Sequence, residues 1–142
     1  MSTITTTIEN NGNTYAGQIG TIKSTSFGTE SHGIITATLH VQWKGGGIGV
    51  GGYCLDEPKK DAEGKHLGRF GTSYGLDHLM RVMETVGVDT WEQLPGKQVI
   101  VLFADGGGWG STACGLAGIT NEKVLDFKEH ASSFRETSEV SA

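Results

Sequence analysis

The chain has 142 residues, 23 of them glycine and two proline, with a formal net charge of −5. That length suits one domain with a real core, and the only adjacent basic pair, Lys59-Lys60, is flanked by acids, which argues against binding a DNA or RNA polymer. The glycines follow no every-third repeat and are interleaved with Trp, Ile and Val, so a collagen-like chain or a flexible linker is excluded and bulges and tight bends within strands are expected.

Ser2 to Glu9 alternates Thr and Ile and predicts a first strand. Asn10-Asn11-Gly12-Asn13 is a strong turn signal, with Tyr15 to Ser24 as the hairpin partner. Phe27 to Gly33 reads as a polar loop. From His32 to Trp43 the residues Ile35, Ala37, Leu39, Val41 and Trp43 fall on one face and Thr36, Thr38, His40 and Gln42 on the other, a clear strand. Lys44 to Gly47 turns the chain, and Ile48 to Leu55 returns as a glycine-loaded strand. Asp56 to Gly68 is charged and contains Pro58, so an exposed excursion is expected there.

Gly75 to Val86 carries helical spacing, with Leu76, Leu79, Met80, Met83 and Val86 or Gly87 predicted to face the core and His78, Arg81 and Glu84 or Thr85 to face outward. Thr72 or Ser73 can cap its first turn and Gly87 its last. Asp89 to Leu94 reads as a short helical turn stopped by Pro95-Gly96, with Trp91 pinning it to the core. Lys97 to Ala104 predicts a central strand, Ser111 to Ile119 and Lys123 to Phe127 shorter ones, and the Ser/Thr/Glu-rich tail from Ala131 disorder. The fold class is α+β: a mostly antiparallel sheet with one main helix packed on it, glycine-rich loops and a single domain over residues 1–130.

No apolar run is long enough to span a membrane and the start does not resemble a signal peptide, so a cytoplasmic protein is expected. Cys54 and Cys114 are far apart with no CxxC partner, which favours two buried free thiols over a disulfide.

Several chemistries find no support in the residues. Gly47-Ile48-Gly49-Val50-Gly51-Gly52 matches GxGxxG, but it runs on into Tyr53-Cys54-Leu55-Asp56 and Pro58, with no helix to meet a pyrophosphate. There is no GxxxxGK[ST] loop and no GxSxG. His32, His40, His66, His78 and His130 form no HxH, HxxxH or HExxH pattern, so no metal site is expected. Asp56, Glu57, Asp61 and Glu63 read as a solvated loop. No catalytic residue and no cofactor is expected.

The segment that points to a ligand is Arg69 followed by Gly71-Thr72-Ser73-Tyr74-Gly75 and the helix. A helix N-terminus presents unpaired N–H groups and a partial positive charge, so Arg69, Thr72, Ser73 and Tyr74 can form an anion notch. The dipole alone contributes roughly 0.3–1 kcal/mol when exposed, so such a notch depends on Arg69. A plain capped helix with a solvated arginine is the competing reading. Trp109, with Ser111 and Thr112 beside it in a glycine loop, can stack on a nucleobase or fold back onto the sheet, and Trp43 presents the same choice.

Taken in order, His32-Gly33-Ile34-Ile35-Thr36, Gly51-Gly52-Tyr53-Cys54-Leu55-Asp56, Arg69-Phe70-Gly71-Thr72, Gly75 with its helix, and Gly87 to Lys97 resemble small phage proteins of the Thoeris anti-defence 1 family. The resemblance covers roughly residues 30 to 127. It implies a sponge that binds cyclic ADP-ribose isomers without hydrolysing them, in the cytoplasm of an infected bacterium, and so inhibits Thoeris immunity. It further implies a homo-oligomer, dimer or hexamer, with pockets between subunits, and in some members a separate site for cyclic oligonucleotides. The family commonly surrounds the phosphates with more than one cation; here Arg81 or Lys44, from the same or a neighbouring subunit, is the available second one. A virion structural or assembly protein is the alternative, and a cyclic-nucleotide hydrolase a third.

Overall fold

The computed structural model describes residues 5–29, 33–51, 55–104 and 113–141, and the side chains among them from residue 6 to residue 134. Strands β1 (Thr5–Asn10) and β2 (Asn13–Thr29) form the first hairpin, joined through Asn11 and Gly12 at φ 52° and 81°. Two successive left-handed residues make the tight turn that Asn-Gly favours. β2 is 17 residues long and swallows the segment expected as a loop: Phe27, Gly28 and Thr29 pair with Ala37, Thr36 and Ile35. Alternation of Thr25, Phe27 and Thr29 suits a pleated strand once a partner is present. The β2–β3 ladder shifts register between Ile22 and Ser24, an irregularity that bends this long strand locally.

Strands β3 (Ile35–Trp43) and β4 (Gly46–Gly51) follow as a second hairpin, and β5 (Asp56–Lys60) with β6 (His66–Gly71) forms a separate two-stranded sheet. The charged excursion is therefore exposed along most of its length but regular. Helix α1 spans Ser73–Val86, a 3-10 turn Trp91–Gln93, then β7 Gln98–Ala104, β8 Gly115–Ala117, β9 Val124–Asp126 and helix α2 Phe127–Ser141. The main sheet is antiparallel in the order β4-β3-β2-β7-β8-β9, with β1 on β2, so β7 is interior as its β-branched run predicts. The architecture is a mostly antiparallel β-sheet with one main helix on it. Among the described residues no helix is long and apolar enough to cross a membrane.

One face of the sheet contributes Ile22, Leu39, Val41, Val50, Val99 and Val101 to the main core, which Val82, Leu94, Leu116 and Phe127 complete. Trp91 packs against this core while its indole N–H donates to Thr25 Oγ1 at 3.2 Å. Tyr15, Ile100, Leu102 and Ala117 form a smaller cluster. There the Tyr15 hydroxyl donates to the Asp126 carboxylate, and burial together with that carboxylate holds the phenol above its ordinary pKa. Cys114, half-buried beside it, is a free thiol whose pKa burial also raises.

The caps of α1 are those its sequence suggests. Thr72 Oγ1 accepts from Gly75 N–H at 2.9 Å, and Gly87, at φ 95°, returns its N–H to Met83 O at 2.8 Å. The buried face is different from the one its apolar spacing predicts. Gly75, His78, Val82 and Thr85 point inward, whereas Leu76 is 64% and Met80 44% exposed. Part of the reason is α2. It begins at Phe127, and its first turns cover His78. Phe127 and His130 lie 5.5 and 6.1 Å from the His78 ring, with Tyr74 at 6.0 Å.

Burial, reinforced by the neighbouring His130 and opposed by Asp77, lowers the His78 pKa to about 4. Protons then bind the unfolded chain more readily between that value and the unperturbed pKa of roughly 6.5. Stability is accordingly complete above the unfolded value and is lost as pH falls toward 4, by about 2–3 kcal/mol. Urea melts across this range should show that slope in the wild type and a flatter one in His78→Phe, taken as a difference between the two proteins.

Candidate functional site

The chain leaves β4, crosses Leu55 and enters the β5–β6 hairpin beside the start of β3. Leu55 N–H donates to Ile35 O at 3.0 Å, and Ile35 N–H donates to Asp56 Oδ1, also at 3.0 Å. Asp56 thereby supplies the acceptor that a further strand residue would otherwise give. On the facing strand, Arg69 Nε donates to Asp56 Oδ2 at 2.5 Å and its Nη2 to Oδ1 at 3.1 Å. The side chains are 5% (Asp56) and 23% (Arg69) exposed, so this is a largely buried, two-point ion pair.

Thr72 joins the same corner. Its hydroxyl donates to Leu55 O at 2.9 Å while accepting from Gly75 N–H. The first turn of α1 rests so tightly on Leu55 that a Cβ at Gly75 would lie 2.1 Å from the Leu55 carbonyl oxygen. The helix start is thus keyed to the strand by the absence of a side chain.

Around this corner lies a cavity of about 480 Å³. The end of β2 contributes Phe27 and Thr29, β3 contributes Ile35, the hairpin Asp56, Arg69 and Phe70, and α1 Leu76 and Leu79. That volume lies within the range of pockets that enclose small organic ligands, roughly 300–1,000 Å³. Its walls are chiefly aliphatic and aromatic, and Phe27 (58%), Phe70 (45%) and Leu76 (64%) line it while still meeting solvent.

Of the residues expected at a ligand site, Arg69 and Thr72 come together here. Ser73 is exposed at the first helical position, and Tyr74 turns the other way, its ring 5.4 Å from His130 and 6.0 Å from Phe134 on α2. Trp43 sits at the opposite end of β3 from Ile35, packed against the core, where its indole covers the backbone at Gly20 and Gly46. Trp109, Ser111 and Thr112 lie outside the described residues. Neither proposed second cation lines the cavity: Arg81 bonds both Glu84 oxygens at 3.0 Å on α1, and Lys44 is in the β3–β4 turn.

No family model, curated protein or solved structure matches this chain.

Two features of the geometry bear on the expected anion notch. Asp56, read from sequence as part of a solvated acidic loop, is buried and neutralises Arg69, and the Thr72 hydroxyl is engaged twice within the protein. The corner is a structural joint carrying little net charge. What adjoins it is an open, apolar-walled cavity, whose Phe27 and Phe70 the sequence reading did not single out. Among the described residues no group of three or more His, Cys, Asp or Glu is placed to share a metal ion.

Proposed function

We propose that this protein captures a small cyclic nucleotide of the cyclic ADP-ribose type in the cavity at the start of α1 and holds it without altering it, as the resemblance to the Thoeris anti-defence 1 sponges implies. The observation that supports the reading is the cavity itself: about 480 Å³, beside the start of a helix, with aromatic and aliphatic walls and the Arg69–Asp56 pair at one side. In this reading the sequestered signal never reaches the host receptor, and Thoeris immunity fails for want of it.

A sequestering protein has to bind tightly. Nanomolar affinity corresponds to about −12 kcal/mol, which a single open pocket does not readily supply. The solvent-facing rim of Phe27, Phe70 and Leu76 suits closure by a second copy, which would bury the ligand between two subunits. A homo-oligomer is part of the proposal. Cyclic oligonucleotides remain candidates for a separate site.

Calorimetric titration with a panel of cyclic ADP-ribose isomers and cyclic dinucleotides tests the reading. A ligand present at 100 times its Kd should stabilise the fold by about 2.7 kcal/mol, readable as a rise in melting temperature. After heat denaturation the ligand should be recovered chemically intact. A cleaved product would transfer the protein to the hydrolase class, and no heat with any member of the panel would reject nucleotide capture. The same exposed rim favours the second reading, an assembly protein of the virion, which expects co-sedimentation with particles and no nucleotide-dependent stabilisation.

A further inference from the structure

We infer that the cavity takes the flat, uncharged heterocyclic ring of its ligand and leaves the phosphates outside. This rests on, and deepens, the reading of the cavity as a nucleotide pocket. The first ground is charge. Among the described residues Arg69 is the cavity's cationic wall residue, and it is bound at two points by a carboxylate only 5% exposed. A phosphate entering this space would lose its water and meet a wall of almost no net charge, which is costly.

Shape and rigidity supply the second ground. Phe27 lines the cavity with more than half of its surface in solvent, and its ring is backed by Trp91 at a centroid distance of 6.2 Å. Trp91 is in turn packed on the core and hydrogen-bonded to Thr25. The phenyl ring, tilted 50° to this supported neighbour, is steadied on one side, and a ring laid against it needs little reordering of the protein. Phe70 and Leu76 provide further apolar surface in the same cavity. Aromatic platforms of this kind accept any nucleobase, because every base has a π-face.

The assignment gives Phe27 and Phe70 the affinity-determining role and leaves Arg69 and Asp56 as the frame that shapes the wall. It also predicts weak salt dependence, since ring burial releases no counterions.

The test uses the full chain and three probes: adenosine, which has the ring and no phosphate; inorganic pyrophosphate, which has the reverse; and cyclic ADP-ribose. Each is titrated by calorimetry at low and at high salt into the wild type, Phe27→Ala and Phe70→Ala. Both side chains are substantially exposed, so the variants are expected to fold, and melting curves check that they do. Adenosine should bind the wild type with little change between the two salt concentrations, and each substitution should weaken it roughly ten-fold or more. Pyrophosphate should give no heat.

Pyrophosphate binding that competes with cyclic ADP-ribose, with no binding of adenosine, would overturn the inference, because the phosphates would then occupy the cavity. Cyclic ADP-ribose binding at wild-type strength to both folded variants would overturn it too, while leaving nucleotide capture standing at another place. Adenosine bound and lost as described, with cyclic ADP-ribose and the other cyclic nucleotides inert, would uphold the ring site and reject the sequestering function. Silence from all three probes would reject the ring site and the cyclic ADP-ribose reading together.

Discussion

Gly75→Ala is expected to be among the most damaging single-methyl additions in this protein. The new Cβ would sit 2.1 Å from the Leu55 carbonyl oxygen and 3.0 Å from its carbon, both backbone atoms that cannot rotate away. Relief requires α1 to lift off its seat, and that movement breaks the bond from Thr72 to the same carbonyl oxygen. It also shifts Leu76 and Leu79, two walls of the cavity. Overpacking of a rigid site costs about 1–3 kcal/mol and sometimes more; with the lost hydrogen bond added, about 4 kcal/mol is expected, a large share of a typical domain's 5–15 kcal/mol. Urea denaturation measures it directly. A loss below about 1 kcal/mol would mean that the helix seat is soft and that the contact does not key the fold.

Asp56→Ala is the second. The substitution leaves the Arg69 guanidinium with its principal carboxylate gone and removes the acceptor of the Ile35 N–H. Breaking one member of a buried pair costs about 3–5 kcal/mol, and the partial exposure of Arg69 places this case toward the lower end. Arg69→Ala should be nearly as severe, for the converse reason that a buried carboxylate loses its cation. Arg69→Ala therefore cannot serve as a clean test of ligand contact. The double variant should be less destabilised than the sum of the two, and the difference in a double-mutant cycle reports the coupling. Strict additivity would show that the pair is not an energetic unit.

Much of the fold is legible residue by residue. Asn11-Gly12 names its own turn, because few other pairs tolerate two consecutive left-handed residues. Thr72 and Gly87 mark the limits of α1, since the first satisfies an orphan N–H and the second admits the left-handed closing residue. The orientation of α1 is not legible in the same way. Leu76 and Met80 look like core residues and His78 like a surface one, and the seat of α1 on Leu55 and the sheet core, together with the docking of α2 through Phe127 and His130, reverses the assignment. Spacing within one helix carries no information about what a later helix will cover.

The candidate site was half visible. Arg69 and Thr72 stand out because their chemistry suits an anion, yet the residue that decides the local charge, Asp56, lies 13 positions earlier in a run that looks solvated. Pro58 and the neighbouring lysines disguised a hairpin in which Pro58 pairs with Arg69. Phe27 was hidden for a similar reason: Ser, Thr and Gly around it suggest a loop until β3 is laid alongside. Both omissions are failures to foresee pairing between strands, the interaction that local sequence constrains least.

β2 exchanges hydrogen bonds with β1 over residues 13–18, with β7 over 15–21 and with β3 over 21–29. A strand shared in this manner denies the molecule a seam. Cutting the chain on either side of it would orphan half the sheet, so neither fragment inherits a complete ladder. The aromatic platform at its far end is consequently anchored in the same ribbon as the centre of the protein, and it can loosen only by drawing on the cohesion of the whole.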